Sequence, residues 1–339
     1  MTRFDPNAAA SPDSGIFGLQ GDPATALLVL MPVPFAATVS YGAGAENGPA
    51  AILAASKQVD LFDLQTGRAY ERGICMLPED PELRAAHDRA RRSAVPILAA
   101  GGALPGSAAV AEVDAAGQLV NERVHAVVQA QLRRGKLPGV VGGDHSVPYG
   151  AIQAVAEHCG ELGILHVDAH ADLRPSYEGF RWSHASIMDN VLRGIPQVRR
   201  IVQVGVRDFS AVELEAISGA AGRVVTHFDQ EWRRRGFCGE SYDALCREAV
   251  AALPEQVYVS FDIDGLDRSL CPNTGTPVPG GLAFAEACHL LATVVQSGRR
   301  IVGFDLVETA PGDDQWDANV GARMLYKLCG FALLGGGPG

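Results

Sequence analysis

The stretch GILHVDAHADLRP, residues 163–175, runs from a short apolar segment straight into Asp168, His170 and Asp172, spaced two apart. A brief apolar run of this kind predicts a buried strand. Charges left unpaired at the end of such a strand would cost several kcal/mol each, so something must neutralise them.

Outward from this segment the same arrangement recurs. GVVGGDHS (139–146) leaves Asp144 and His145 at the end of an apolar run. VYVSFDIDGLD (257–267) leaves Asp262, Asp264 and Asp267, and IVGFDLVETAP (301–311) leaves Asp305 and Glu308. Strand-like runs at 26–33, 199–207 and 222–229 complete the set, and helical patterns lie between them at 48–63, 119–135, 147–160, 186–194, 210–219, 242–253, 283–298 and 319–334. The stretch SAVPILAAGG (93–102) reads as a strand opening into an Ala/Gly-rich segment at 101–118. Alternating β and α with near-continuous apolar strands indicates a parallel sheet covered on both faces. In such sheets ligands bind outside the carboxyl ends of the strands, where these charges collect. No linker or repeat divides the chain. The reading is a flexible arm over 1–24 followed by one domain over 25–335.

The composition narrows the possibilities. The 339 residues carry a formal net charge of −11, and no run of five or more Lys/Arg occurs. Nucleic acid is therefore not an expected partner. Arg233–Arg235, beside Trp232, read as a solvated turn. Seven scattered cysteines without a C-x-x-C pair suggest free thiols and a cytoplasmic setting. The first apolar run is far shorter than the roughly 20 residues a membrane span needs.

In extended chain, residues i and i+2 point the same way. Asp168, His170 and Asp172 can thus share a side, as can Asp262 and Asp264, with His145 joining them. Carboxylates mixed with imidazole, and no thiolate, suit Mn²⁺, with Fe, Co, Ni or Zn as alternatives. Six ligands are too many for one small ion that must also keep a water, so two ions are the natural count.

At this point the sequence resembles the ureohydrolase superfamily of arginase, agmatinase and their relatives. The matching stretches are GGDHS (142–146), DAHADL (168–173), SHAS (183–186), SFDIDGLDRSLCPNTGTPVPGGL (260–282) and the Glu of FDLVETAP (304–311). The resemblance implies a single three-layer α/β/α domain around a mostly parallel sheet, assembled as a homotrimer or homohexamer. It implies two Mn²⁺ ions, or alternatively Ni²⁺, one held by His145, Asp168, Asp172 and Asp262, the other by Asp168, His170, Asp262 and Asp264. The implied chemistry is attack of hydroxide on a guanidinium carbon, the hydroxide arising from water shared by the two cations. Asp172 would orient the nucleophile, Glu308 would pair with the guanidinium, and His184 would shuttle a proton to the leaving amine. His166, in the strand itself, reads as a packed core residue.

The substrate is less legible. The loop LRPSYEGFRWSHAS (173–186) has Arg174 where arginases carry an Asn for arginine, and GVRDFS together with the loop at 34–52 is similar to agmatinases. The expectation is therefore agmatine hydrolysis to putrescine and urea, with guanidine, guanidinobutyrate or another guanidino acid as alternative substrates. If Tyr41, Trp182 and Trp316 line the pocket, they would stack on a guanidinium and leave little room for a tail. An inactive metal-binding relative would have lost a ligand, yet all six are present. A deacetylase would carry a His-His pair, which the chain lacks.

Overall fold

The computed structural model describes residues 5–104 and 106–335. Residues 1–4 of the expected arm and Pro105 within the Ala/Gly-rich segment lie outside it.

Eight strands form a single sheet: β1 (Leu28–Val33), β2 (Ile74–Met76), β3 (Leu137–Gly142), β4 (Leu162–Val167), β5 (Val198–Val204), β6 (Val224–His227), β7 (Gln256–Asp262) and β8 (Arg300–Val307). The helices are α1 (Gly48–Ala55), α2 (Pro81–Ala99), α3 (Ala108–Leu132), α4 (Tyr149–Cys159), α5 (Ile187–Gly194), α6 (Ala211–Gly219), α7 (Asp229–Phe237), α8 (Tyr242–Ala251), α9 (Phe284–Gln296) and α10 (Trp316–Leu334). The strand order is β2-β1-β3-β8-β7-β4-β5-β6, and every pairing is parallel.

Alternation along the strands builds two cores. Leu165 and Val167 of β4, with Val257, Val259 and Phe261 of β7, pack beneath α1 and α7–α10. Leu162, Ile164, Tyr258 and Val302 face the other way, beneath α2–α6. This is the expected three-layer α/β/α architecture. The four strands whose ends carry the charges, β3, β8, β7 and β4, are consecutive neighbours at the centre of the sheet. The charges thus meet at the middle of one rim.

Several elements differ from expectation. Residues 93–99 finish α2 and form no strand; Pro96 sits inside that helix, whose first turn is capped by Asp80 accepting from the Glu82 amide. The Ala/Gly-rich segment is helical from Ala108 onward, as the start of α3. Helix α1 stops at Ala55, and a 3₁₀ turn over Ser56–Gln58 follows it. Arg233–Arg235 lie in α7 rather than a turn, each paired with carboxylates: Arg233 with Glu286, Arg234 with Glu231, and Arg235 with both Glu240 and Glu248. Within the expected arm, Ile16 and Phe17 are buried, and Phe17 meets the Tyr326 ring edge-on at 4.8 Å, so this part is anchored. The seven cysteines are unpaired. No helix among the described residues is long and apolar enough to cross a membrane.

Candidate metal centre

The backbone brings the charged side chains together by two means. Asp168 and Asp262 come directly off the ends of β4 and β7, aimed by strand geometry. Asp172 and Glu308 instead adopt left-handed backbone, with φ of 54° and 62°. Non-glycine residues hold that conformation only where neighbours over-determine it, at a cost of order 1–3 kcal/mol. The neighbours are present: the Asp172 carbonyl accepts from the Met188 and Asp189 amides, and the Glu308 amide donates to the Gly143 carbonyl. Gly143 itself has no room for a side chain, because a Cβ there would lie 2.0 Å from the Phe35 carbonyl oxygen.

Two clusters result. In the first, His145 Nδ1 lies 2.9 Å from Asp168 Oδ2 and 3.3 Å from both Asp172 Oδ2 and Asp262 Oδ2. In the second, His170 Nδ1 lies 3.1 Å from Asp264 Oδ2 and 3.4 Å from Asp168 Oδ1. The six residues expected as ligands are thus brought together, with one oxygen of Asp168 facing each cluster. Asp144 turns away, its carboxylate accepting from the Ser146 amide and hydroxyl.

The donor atoms fit cations. His145 Nδ1, Asp264 Oδ2 and Glu308 Oε2 are buried and make no hydrogen bond. Such orphaned atoms are costly unless something else satisfies them. The electrostatics agree. Burial, reinforced by the Asp168 charge, pushes Asp172 up to about 7. Burial with the charges of Asp264 and Asp168 drives Asp262 well above the carboxylate range. Asp168 is instead held well below it, where His166 and the other imidazoles around it outweigh its burial. Protons thus compete for places that divalent cations would take, and bound cations invert that balance. Residues at these positions could hold two metal ions, among them the groups His145–His166–Asp168–Asp172 and Asp168–His170–Asp264.

Beneath the clusters runs a row of polar side chains that composition alone does not reveal. Asp305, Ser260, His166, Gln203 and Thr226 are register partners across β8, β7, β4, β5 and β6. Ser260 Oγ donates to Asp305 Oδ1 at 3.1 Å and so accepts from His145 Nε2 at 2.9 Å, which leaves Nδ1 free to face the carboxylates. His166, expected as mere core, lies with Nε2 2.8 Å from Asp168 Oδ2. The register between a D-x-H run and the neighbouring strands was the missing signal.

A cavity of about 280 Å³ opens onto His170 and Asp172 and is walled by Tyr41, Arg174, Tyr177, His184 and Asp208, among others. His184 sits in this wall, its ring edge-on to Tyr177 at 5.9 Å and Nδ1 3.3 Å from Thr38 Oγ1. Burial, aided by the charges of His170 and His145, lowers its pKa to about 3, so it is neutral at physiological pH. The turn bearing His184 is held by α3, where Asp114 accepts from the Arg181 and Trp182 amides. Glu308 lies deeper, with Oε1 accepting from the His145 amide at 2.9 Å.

Of the three aromatics expected in the pocket, only Tyr41 is at the cavity, and it is 85% exposed. Trp182 packs edge-on against Tyr149 at 4.9 Å and against Gly117 of α3, where the small glycine makes space for it. Trp316 opens α10, its Nε1 donating to the Ser269 carbonyl away from the cavity. Arg174 is stacked 4.8 Å from the Tyr177 ring and paired with Glu213 at 3.4 Å. Asp208 is exposed, and its carboxylate has no hydrogen bond or ion pair among the described residues.

A family model described as the arginase family matches residues 26–330. An N(1)-aminopropylagmatine ureohydrolase from Thermus thermophilus is 35% identical over 324 residues, covering 95% of this chain and 96% of that one. A guanidinobutyrase from Pseudomonas aeruginosa is 33% identical over 202 residues, covering 58% of this chain and 61% of its own. The solved structure of proclavaminate amidino hydrolase from Streptomyces clavuligerus superposes with a TM-score of 0.74 at 24% identity, covering 97% of this chain and 100% of the other.

Proposed function

The chain belongs to the arginase family and is a hydrolase of amidine C–N bonds, and from that premise we propose that it binds two divalent cations, Mn²⁺ for preference, and releases urea from a guanidino compound with a cationic tail. Agmatine and N(1)-aminopropylagmatine are the compounds that fit this description. The proposed ligands are His145, Asp168, Asp172 and Asp262 for one ion and Asp168, His170, Asp262 and Asp264 for the other. Hard carboxylates with imidazole favour Mn²⁺, with Ni²⁺ as the alternative. The proposed assembly is a homotrimer or homohexamer.

Bound at this place, such a cation pair supplies Lewis acidity and a water acidified to near-neutral pKa. The chain's own residues do the rest. The free Oε2 of Glu308 pairs with the guanidinium and holds its carbon in place. Asp172 accepts a hydrogen bond from the nucleophile and orients it. His184, in the cavity wall beside His170 and Asp172, is placed to carry a proton to the leaving amine.

The choice of tail rests on Asp208. Its unpaired carboxylate attracts an ammonium and repels a carboxylate, while Arg174 at the cavity wall is already satisfied by Glu213 and Tyr177. With Trp182 and Trp316 elsewhere, the cavity is open enough for a tail. Comparing kcat/KM for agmatine, N(1)-aminopropylagmatine, guanidinobutyrate and guanidine in the wild type and in Asp208→Asn tests this. The cationic-tailed compounds should lead and lose severalfold in the variant. A preference for guanidine or guanidinobutyrate, or indifference to the substitution, would contradict it.

A further inference from the structure

The buried polar row beneath the clusters contains a directed hydrogen-bond relay. Gln203 Nε2 lies 2.7 Å from the Ala171 carbonyl oxygen and 2.9 Å from His166 Nδ1. At the other side of the same amide, Oε1 accepts from Thr226 Oγ1 at 2.7 Å. The amide cannot be reversed, since its oxygen would then be pressed against the Ala171 carbonyl. A nitrogen donor therefore faces His166 Nδ1, which must accept. The ring proton is consequently on Nε2 and points at Asp168 Oδ2, 2.8 Å away.

Asp168 completes the argument. Its Oδ1 accepts the His170 amide at 2.6 Å while Oδ2 accepts from His166. A carboxylate offers about four lone-pair sites. One on each oxygen is taken by the chain, which leaves one on each oxygen for the cluster that oxygen faces. His170's own backbone fixes Oδ1; only His166 fixes Oδ2.

The geometry points to His166 as a positioning residue, held in one tautomer by Gln203 and Thr226, that locks the Asp168 carboxylate in the orientation needed to serve both metal ions. This inference rests on the two-cation reading above. Buried in the sheet core, His166 and Gln203 would each leave costly unpaired polar atoms without the other, and the row satisfies them in turn. Partners that orient a metal ligand in this way are worth about 10–100-fold in metal affinity.

The test is Mn²⁺ titration calorimetry on the metal-stripped full chain, with kcat and KM measured alongside. In His166→Gln the side-chain oxygen and nitrogen reproduce the spacing of the two ring nitrogens, one accepting from Gln203 and the other donating to Asp168. In His166→Phe the donor is gone but the ring volume stays. Wild type should bind two equivalents, which checks the underlying reading; binding none would fail that reading instead. His166→Phe should then lose about 10–100-fold in affinity for at least one ion, and His166→Gln should restore most of it. Wild-type affinity in His166→Phe would overturn the proposal, as would an equal loss in His166→Gln. Should His166→Phe fail to fold, Gln203→Leu carries the test: it removes the donor that faces His166 Nδ1 while keeping a side chain of similar volume. Severalfold weaker binding supports the relay, and unchanged binding overturns it.

Discussion

Asp172 and Glu308 both sit in left-handed backbone, and this explains what strand alternation alone does not. The two-residue periodicity is valid through His166 and Asp168, where the chain is strand or strand end. Beyond Val167 the strand is over, and Asp172 reaches His145 only because its φ is 54°. The charged residues themselves were legible because a carboxylate–imidazole–carboxylate run has few structural uses. His166 was not, since a lone histidine in an apolar strand looks like core until the neighbouring strand supplies Gln203. At this scale two outcomes are expected. His184→Ala should lower kcat by 10²-fold or more, the ordinary size of a lost proton-transfer group, with metal content unchanged by elemental analysis; loss of metal would refute the proton-transfer role. Glu308→Gln keeps the shape but removes a charge-assisted pair worth about 1.5–3 kcal/mol, so kcat/KM should fall on the order of 10- to 150-fold. An unchanged value would place the guanidinium elsewhere.

Among the elements, strands were far more legible than helix boundaries. Strands β3, β4, β7 and β8 announce themselves because each is an apolar run that ends on charge. Helix α2 and the first part of α3 do not, because Pro96 and a high Ala/Gly content mimic a strand and loop, whereas the packing of Ala90, Ala94 and Val113 against the sheet settles them as helices. Helix α6 shows how an element far from the clusters reaches the cavity. Ser210 and Glu213 form its capping box, and the same Glu213 accepts from the Leu173 amide and pairs with Arg174. Glu213→Gln keeps hydrogen-bonding capacity but releases the Arg174 charge, so the ratio of kcat/KM for guanidinobutyrate over agmatine should rise. An unmoved ratio would mean that Arg174 does not face the substrate tail. Ser210→Ala removes the cap and one hydrogen bond to Glu213 Oε2 but leaves the Glu213 charge in place, so it should cost about 1 kcal/mol of stability by denaturant unfolding and leave the ratio alone.

For the whole molecule, the parallel sheet and its active rim follow from β/α alternation, and the open cavity follows from loop packing that no periodicity encodes; Trp182 buried against Gly117 is the clearest case. The concentration of buried carboxylates also sets a pH dependence. Asp172, raised to about 7 in the folded protein, binds a proton that the unfolded chain releases near pH 4. That contribution to the stability of the metal-free protein is fully present below the unfolded value and is lost as pH rises through about 7; Asp262, raised by burial, acts in the same direction. The melting temperature of the metal-free chain should therefore fall between pH 6 and pH 8, and the increase produced by Mn²⁺ should be larger at pH 8. A metal effect independent of pH would show that protons and cations do not share these carboxylates. The most direct test of the account is urea release from agmatine or N(1)-aminopropylagmatine, followed as Mn²⁺ is added back to the metal-stripped chain. Activity should rise with bound metal and level off at two ions per chain. Urea production by the stripped protein, or no urea once both ions are bound, would contradict it.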